Sequence, residues 1–169
     1  MNKDQLKEAV HAIAPSLSEE LIAMHFSGMS AAYFEQFDAA AISDHLLLLA
    51  VLNDNRKAAV AATQTQDHCW NLIVVAHDHQ GVLSCLTCLF ATHGFDIKNA
   101  EIHSYRAGIV PEGRIVDVFR VQLARPDHEV SQQTFGQIEQ TFASAMGYLE
   151  QGRLLDALQL AGSRGAGKG

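Results

Sequence analysis

The sequence predicts an α+β protein, and three observations carry that reading. Cys69 to Leu123 reads as a strand, a helix and two further strands, with a boundary signal at every junction. The N-terminal third places apolar residues at helical spacing, and Val130 to Glu150 is one long amphipathic helix. The central series opens on Trp70 to Ala76, an apolar run rich in β-branched residues and too short for a comfortable helix. It stops at His77-Asp78-His79-Gln80-Gly81. From there Val82, Leu83, Leu86, Leu89 and Phe90 take the spacing of a helix face until Gly94 ends it. Phe95 to Tyr105 and Ile115 to Leu123 are two more strands, joined by a loop through Gly108, Pro111 and Gly113.

Taken in order, residues 2 to 13 predict a first helix with Leu6, Val10 and Ile13 on one face, closed by Pro15. Ser16 and Glu19 have the spacing of a capping box, which opens a second helix running to about Phe26 before Gly28 interrupts it. Ser30 is placed to cap a short segment through Phe37, whose Tyr33, Phe34 and Phe37 are read as core. Asp38 is the expected N-cap of a helix from Ala39 to Leu52. Its Ile42, His45, Leu46, Leu47, Leu48, Leu49, Val51 and Leu52 occupy more than one face. Such a helix must be covered on two sides, either between the N-terminal helices and the sheet or by another chain. His45 is read as a core histidine, and Asn53 to Asn55 as a loop. Beyond Leu123, Arg125 to His128 is a turn, and the long helix presents Phe135, Ile138, Phe142, Met146 and Leu149 on one face. Gly152 breaks it. Leu154, Leu155 and Leu158 make a last helical segment before a flexible tail, whose Gly-x-Gly-Lys ending follows no strand and is not a phosphate loop.

Composition narrows the function classes. With 48% hydrophobic and 18% charged residues in 169, the chain is globular rather than disordered. A net charge of -7 with no basic stripe argues against nucleic acid as the main partner. No stretch approaches the roughly 18 apolar residues of a membrane span, and the first residues lack the apolar core of a signal peptide. The expected location is the cytoplasm. Cys85 and Cys88 stand one turn apart on an apolar helix and are read as buried free thiols.

The runs Val75 to Leu83, Gly94 to His103 and Val116 to Val121 resemble, in order and spacing, an ACT domain of the kind attached to PII-protein uridylyltransferases and related nucleotidyltransferases of nitrogen regulation. The likeness covers about a third of the chain and extends more loosely to Tyr33 to Phe37 and His45 to Leu48. It implies a ferredoxin-like βαββαβ sheet, yet no strand-like run follows the long helix. A strand from Val60 to Gln66, turning through Asp67-His68, would pair antiparallel with Trp70 to Ala76 on the edge where the final strand belongs. That predicts a four-stranded antiparallel ACT sheet with two helices on one face. Residues 1–56 are then an N-terminal helical segment, 57–160 the ACT-like regulatory domain and 161–169 the tail. The resemblance further implies a non-catalytic module that senses a small amino acid, glutamine-like, and regulates a nucleotidyltransferase.

The expected site is the turn Asp78, His79, Gln80, Gly81 and Val82, with Asp96 and Ile97 at the start of the second strand. A helix N-terminus offers free N–H groups and partial positive charge to a carboxylate, and a glycine allows close backbone approach. By resemblance Asp78 and Gly81 hold the ligand-turn positions and Asp96 a polar position where Asn is more familiar; Gln80 stands where Pro is usual. The alternative is that Asp78 caps a helix beginning near His79 and Gly81 serves packing. His77, Asp78, His79, Asp96 and His103 carry metal-ligand chemistry, but neighbouring strand residues such as His77 and Asp78 point opposite ways, so neither a metal site nor a cofactor is expected. No G-x-S-x-G, H-E-x-x-H or phosphate loop is present, and any chemistry is expected on a partner or on another part of a longer polypeptide. The Ala39 to Leu52 helix, with Val116 and Val118, offers more apolar surface than one small domain covers, which predicts a homodimer. The rival reading is a ligand-free oligomerisation or docking domain that joins subunits through the sheet edge and that helix.

Overall fold

In the computed structural model the described residues, 1–163, form α1 (Lys3–Ile13), α2 (Glu19–Gly28), α3 (Ala31–Gln36), α4 (Ala39–Leu49), β1 (Ala58–Gln66), β2 (Cys69–Ala76), α5 (Val82–Thr92), β3 (Phe95–Ser104), β4 (Ile115–Leu123), α6 (Gln132–Glu150) and α7 (Leu154–Gly162). The flexible tail expected from composition falls largely on residues 164–169, outside the described residues.

Side-chain caps open three of the four N-terminal helices. Asn2 and Gln5 form a reciprocal capping box at α1, with Asn2 Oδ1 accepting the Gln5 N–H at 2.9 Å and Gln5 Oε1 accepting the Asn2 N–H at 3.0 Å. Asp38 caps α4 as expected, its carboxylate accepting the Ala41 N–H at 2.8 Å. At α2 the expected cap is displaced: Ser18, not Ser16, accepts the Leu21 N–H at 3.1 Å. The preceding turn, closed by a Leu17 N–H bond to Ala14 O at 3.1 Å, buries Leu17 and so carries the start of the helix two residues on. Ser30 holds the N-cap position of α3 without a side-chain bond. Helix α2 ends at Gly28, where the ring of Tyr105 fills the space of any side chain, its Cγ lying 2.9 Å from where a Cβ would stand.

The four strands make one antiparallel sheet in the order β1-β2-β4-β3. β1 and β2 form the expected hairpin through Asp67-His68, in register from Ala58 opposite Ala76 to Gln64 opposite Trp70, with an irregularity before Gln66. Because β4 lies between β2 and β3 and is antiparallel to both, β2 and β3 run parallel and α5 carries the chain from one to the other.

Both faces of this sheet are covered. On one, Leu72, Val74, Phe119 and Val121 meet Leu86 and Phe90 of α5 and Phe142 and Met146 of α6. Three helices rather than the expected two share that face, since α7 seats Ala157 and Ala161 in the same core. On the other face Ala59, Val75, Val116 and Tyr105 share a second core with Leu6, Val10, Ile22, Tyr33, Ile42 and Leu46. Helix α4 therefore lies between α1 and the sheet, the first of its two expected placements. Val116, expected at a subunit interface, is instead fully buried beneath the N-terminal helices.

The two sheet edges differ. Along β1, Glu139 of α6 accepts the Val60 N–H at 2.8 Å, Gln132 donates to Ala62 O at 3.1 Å, and Arg56 pairs with Glu139 at 3.0 Å. These side chains seal that edge. Among the described residues the outer edge of β3 has no such cover, and most of its own residues are exposed.

Two helix-interior glycines are unused. A methyl group added at Gly136 or Gly147 of α6 would meet nothing within 4 Å, so Gly136→Ala and Gly147→Ala should each raise stability by about 0.5–1 kcal/mol, read from the urea midpoint. Among the described residues no helix is long and apolar enough to cross a membrane.

Candidate functional site

The turn from His77 to Gly81 links the end of β2 to α5. Two backbone bonds anchor it: His77 N–H donates to Lys57 O at 3.0 Å, and Asp78 N–H to Glu112 O at 3.2 Å. Asp78 then lies against Gly113, whose φ of 68° and lack of side chain admit the Asp78 Cβ, 3.0 Å from where a Cβ on Gly113 would stand. Helix α5 begins at Val82, later than His79, and Asp78 does not cap it. Gly81 is the N-cap, at φ 95°. Val82 N–H closes a turn to His79 O at 3.3 Å, while the amides of Leu83 and Ser84 have no acceptor within the described chain. These free donors suit an anion. The glycine, however, leaves no open path over its own α-carbon: a Cβ there would stand 2.5 Å from Leu154 Cδ1 and 3.2 Å from Leu149 Cδ2.

Asp78, His79, Gln80, Gly81 and Val82 thus stay together at one end of the sheet, whereas Asp96 and Ile97 lie at the other. Asp96 shares its row with Gln122 and Cys69; the turn follows the row of Ser104, Ile115 and Ala76. Seven strand steps separate the rows, about 23 Å. Strand alternation also divides the pair, since Ile97 lies on the α5 face with Phe95 and Val121, and Asp96 beside Gln122 on the opposite one. Near that far end a cavity of about 510 Å³ is lined by Trp70, Leu123, Pro126 and His128.

Beneath the turn lies Asp117, two residues into β4 and 1% exposed. Burial pushes its carboxyl up to about 7; the His103 N–H, 3.3 Å from Oδ1, partly opposes this and the Asp78 charge adds to it. Carboxyls perturbed in this way concentrate at functional sites. Beside the turn the structure brings His77 and His79 up to Glu150, the last residue of α6. His79 Nε2 is 3.8 Å from Glu150 Oε1, and Lys57 Nζ holds Oε2 at 2.6 Å. Burial lowers the pKa of His77, and neighbouring Arg114 works in the same direction. Asp96 and His103, weighed beside these histidines in the sequence, fall elsewhere.

A second polar cluster joins the N-terminal helices to the sheet. Tyr33 OH lies 2.9 Å from His25 Nε2 and 2.6 Å from His45 Nδ1, and Tyr105 OH lies 2.9 Å from His25 Nδ1. The chain of bonds can run in either direction with both histidines neutral. His45 is a core histidine as expected, but its bond is to the Tyr33 hydroxyl and not to backbone, the partner the sequence suggests. His103 brings its ring to 5.2 Å from Tyr33, and its buried Nε2 has no partner among the described residues. Cys85 is buried, Cys88 half-buried, and both are free thiols.

Sequence reasoning missed Glu150, Asp117, His25 and Tyr105 as members of polar sites. An Asp inside an apolar strand was a visible signal for Asp117; nothing in local spacing marks Glu150, which is about seventy residues from its histidines. No family model and no curated protein matches the sequence.

Proposed function

We propose that the chain is a regulatory module of the ACT type, with a ferredoxin-like sheet, that binds a small amino acid such as glutamine and controls a nucleotidyltransferase of nitrogen metabolism, with no chemistry of its own. The observation that supports this best is topological: β2, α5 and β3 form a split βαβ unit around β4, and β1 stands on the edge where an ACT fold has its final strand. The ligand carboxylate would take the free N–H groups of Leu83 and Ser84, and Asp78 would meet its ammonium group. A melting screen over the twenty amino acids tests this, because a ligand selective for the folded state raises its stability by RT ln(1 + [L]/Kd). At a hundredfold excess over Kd the gain is about 2.7 kcal/mol, a shift of several degrees. A flat screen at millimolar concentrations removes the sensing reading.

Assembly follows from the edges. With β1 sealed and β3 open, a second copy pairing antiparallel along β3 is the association this sheet favours. Such a pairing carries the Asp96–Ile97 end of one copy to the turn end of the other, reconciling the two halves of the expected site. It would also cover Ile97 and Ile102, 37% and 43% exposed. The filled space over Gly81 favours the rival, a ligand-free oligomerisation domain using the same edge. Light scattering at tens of micromolar should find a dimer; a species of 18.4 kDa alone would exclude both forms of this assembly. Ile102→Lys, which places a charge on the open edge, should shift the protein toward monomer.

A further inference from the structure

We propose that His77, His79 and Glu150 form a binding site for one divalent transition-metal ion of the zinc type, where β2 turns into α5 and α6 ends. One nitrogen or oxygen from each residue lies within 4.8 Å of the others, so three ligand-type atoms from two distant parts of the chain converge on one point. The second observation is independent of that spacing. Nε2 of His77 and Nε2 of His79 are both buried, and neither has a hydrogen-bond partner among the described residues. His77 as a whole is 3% exposed. An unpaired buried polar atom is costly, and native structures keep few of them without a reason. Two unpaired imidazole nitrogens on residues that cluster with one carboxylate are explained together by a cation that all three residues ligate.

Geometry and donor chemistry agree on the class of ion. Zinc bonds of about 2.0–2.2 Å in tetrahedral geometry place donors roughly 3.4 Å apart. The 3.8 Å between His79 Nε2 and Glu150 Oε1, at the last residue of α6, is already close to that. Two imidazoles and one carboxylate suit zinc and its neighbours, whereas calcium and magnesium need an oxygen shell the site lacks. Three protein donors leave a fourth position for water or a small anion. Lys57 holds Oε2 of Glu150 and so turns Oε1 toward the histidines, but its charge opposes a second cation. The affinity is therefore expected in the micromolar range rather than that of a dedicated structural zinc site.

The test uses the full chain stripped with a chelator and titrated with zinc by calorimetry and with cobalt(II) by visible absorption. One zinc per chain is expected, and one cobalt with the strong bands of a four-coordinate ion. His79→Ala and Glu150→Gln, both at partly exposed positions, should each weaken zinc at least tenfold while keeping the wild-type circular dichroism and melting profile. Cys88→Ser should leave binding unchanged. Absence of saturable binding, a stoichiometry above one that His79→Ala does not alter, or loss of binding in Cys88→Ser would each overturn the site. Neither result depends on whether an amino acid binds, so the melting screen and the zinc titration succeed or fail separately.

Discussion

Gly81→Val is expected to destabilise the protein by about 3 to 5 kcal/mol, a combined effect of backbone and packing. Gly81 sits at φ 95°, a left-handed region where a β-branched residue is strongly disfavoured. The first carbon of any side chain would also stand 2.5 Å from Leu154 Cδ1, and α7 would have to move to admit it. The two terms can be separated. Gly81→Ala meets the same obstruction and should lose most of the stability that Val loses. In Gly81→Ala combined with Leu154→Ala the steric part should return, leaving, relative to Leu154→Ala alone, the backbone part of about 1–2 kcal/mol. Urea midpoints of the five proteins decide it. A loss below about 1 kcal/mol for Gly81→Val would mean that α7 does not pack on the turn as described. The consequence for function is direct: loss of ligand binding in a Gly81 variant would report a damaged fold as readily as a blocked site.

The second large effect is on pH. Burial lowers His25 to about 3, with nearby His45 adding to it, and lowers His45 to about 4, with His103 adding to it. Below about 6.5 the unfolded chain takes up these protons and the folded chain does not. Stability from these two groups is therefore complete above that pH and is lost as the pH falls toward 4 and 3. Between pH 8 and pH 5 they should remove about 4 kcal/mol. Asp117 works in the opposite sense. With its folded pKa raised to about 7, the folded state holds a proton the unfolded state has released, so its contribution is present at low pH and is lost as pH rises through 7. On going from pH 8 to pH 5 it should return about 2.5 kcal/mol, masking most of the histidine loss. Asp117→Asn removes the mask. Its stability should fall between those two pH values by about 2 to 3 kcal/mol more than that of the wild type, as read from denaturant midpoints. Equal falls in the two proteins would show that Asp117 stays ionised. The fall should also depend on Tyr33, whose hydroxyl bridges the two histidines. Tyr33→Phe leaves His25 Nε2 and His45 Nδ1 without their partner and is expected to cost about 2–4 kcal/mol at pH 8.

Whatever depends on neighbours in the chain was legible in the residues. The apolar run at Trp70, the helical spacing from Val82, the Asp38 cap and the Asp67-His68 hairpin are short-range events, in which propensity and hydrogen bonding within a few residues decide the outcome. The antiparallel placement of β1 on β2 belongs with them, since a turn of two residues leaves the chain little choice but to fold back on itself. Polar chemistry and covering were decided elsewhere. That α4 lies between α1 and the sheet, that Leu154 fills the space over Gly81, and that Glu150 reaches His77 and His79 all depend on how the helices settle on the two faces of the sheet. So does the difference between a β1 edge sealed by Glu139 and an open β3 edge. The sequence by itself therefore determined the elements, their order and the turn that joins β2 to α5. Only the tertiary structure decided what that turn faces, because burial and the convergence of side chains are set by contacts between residues far apart in the chain, and local spacing carries no trace of them.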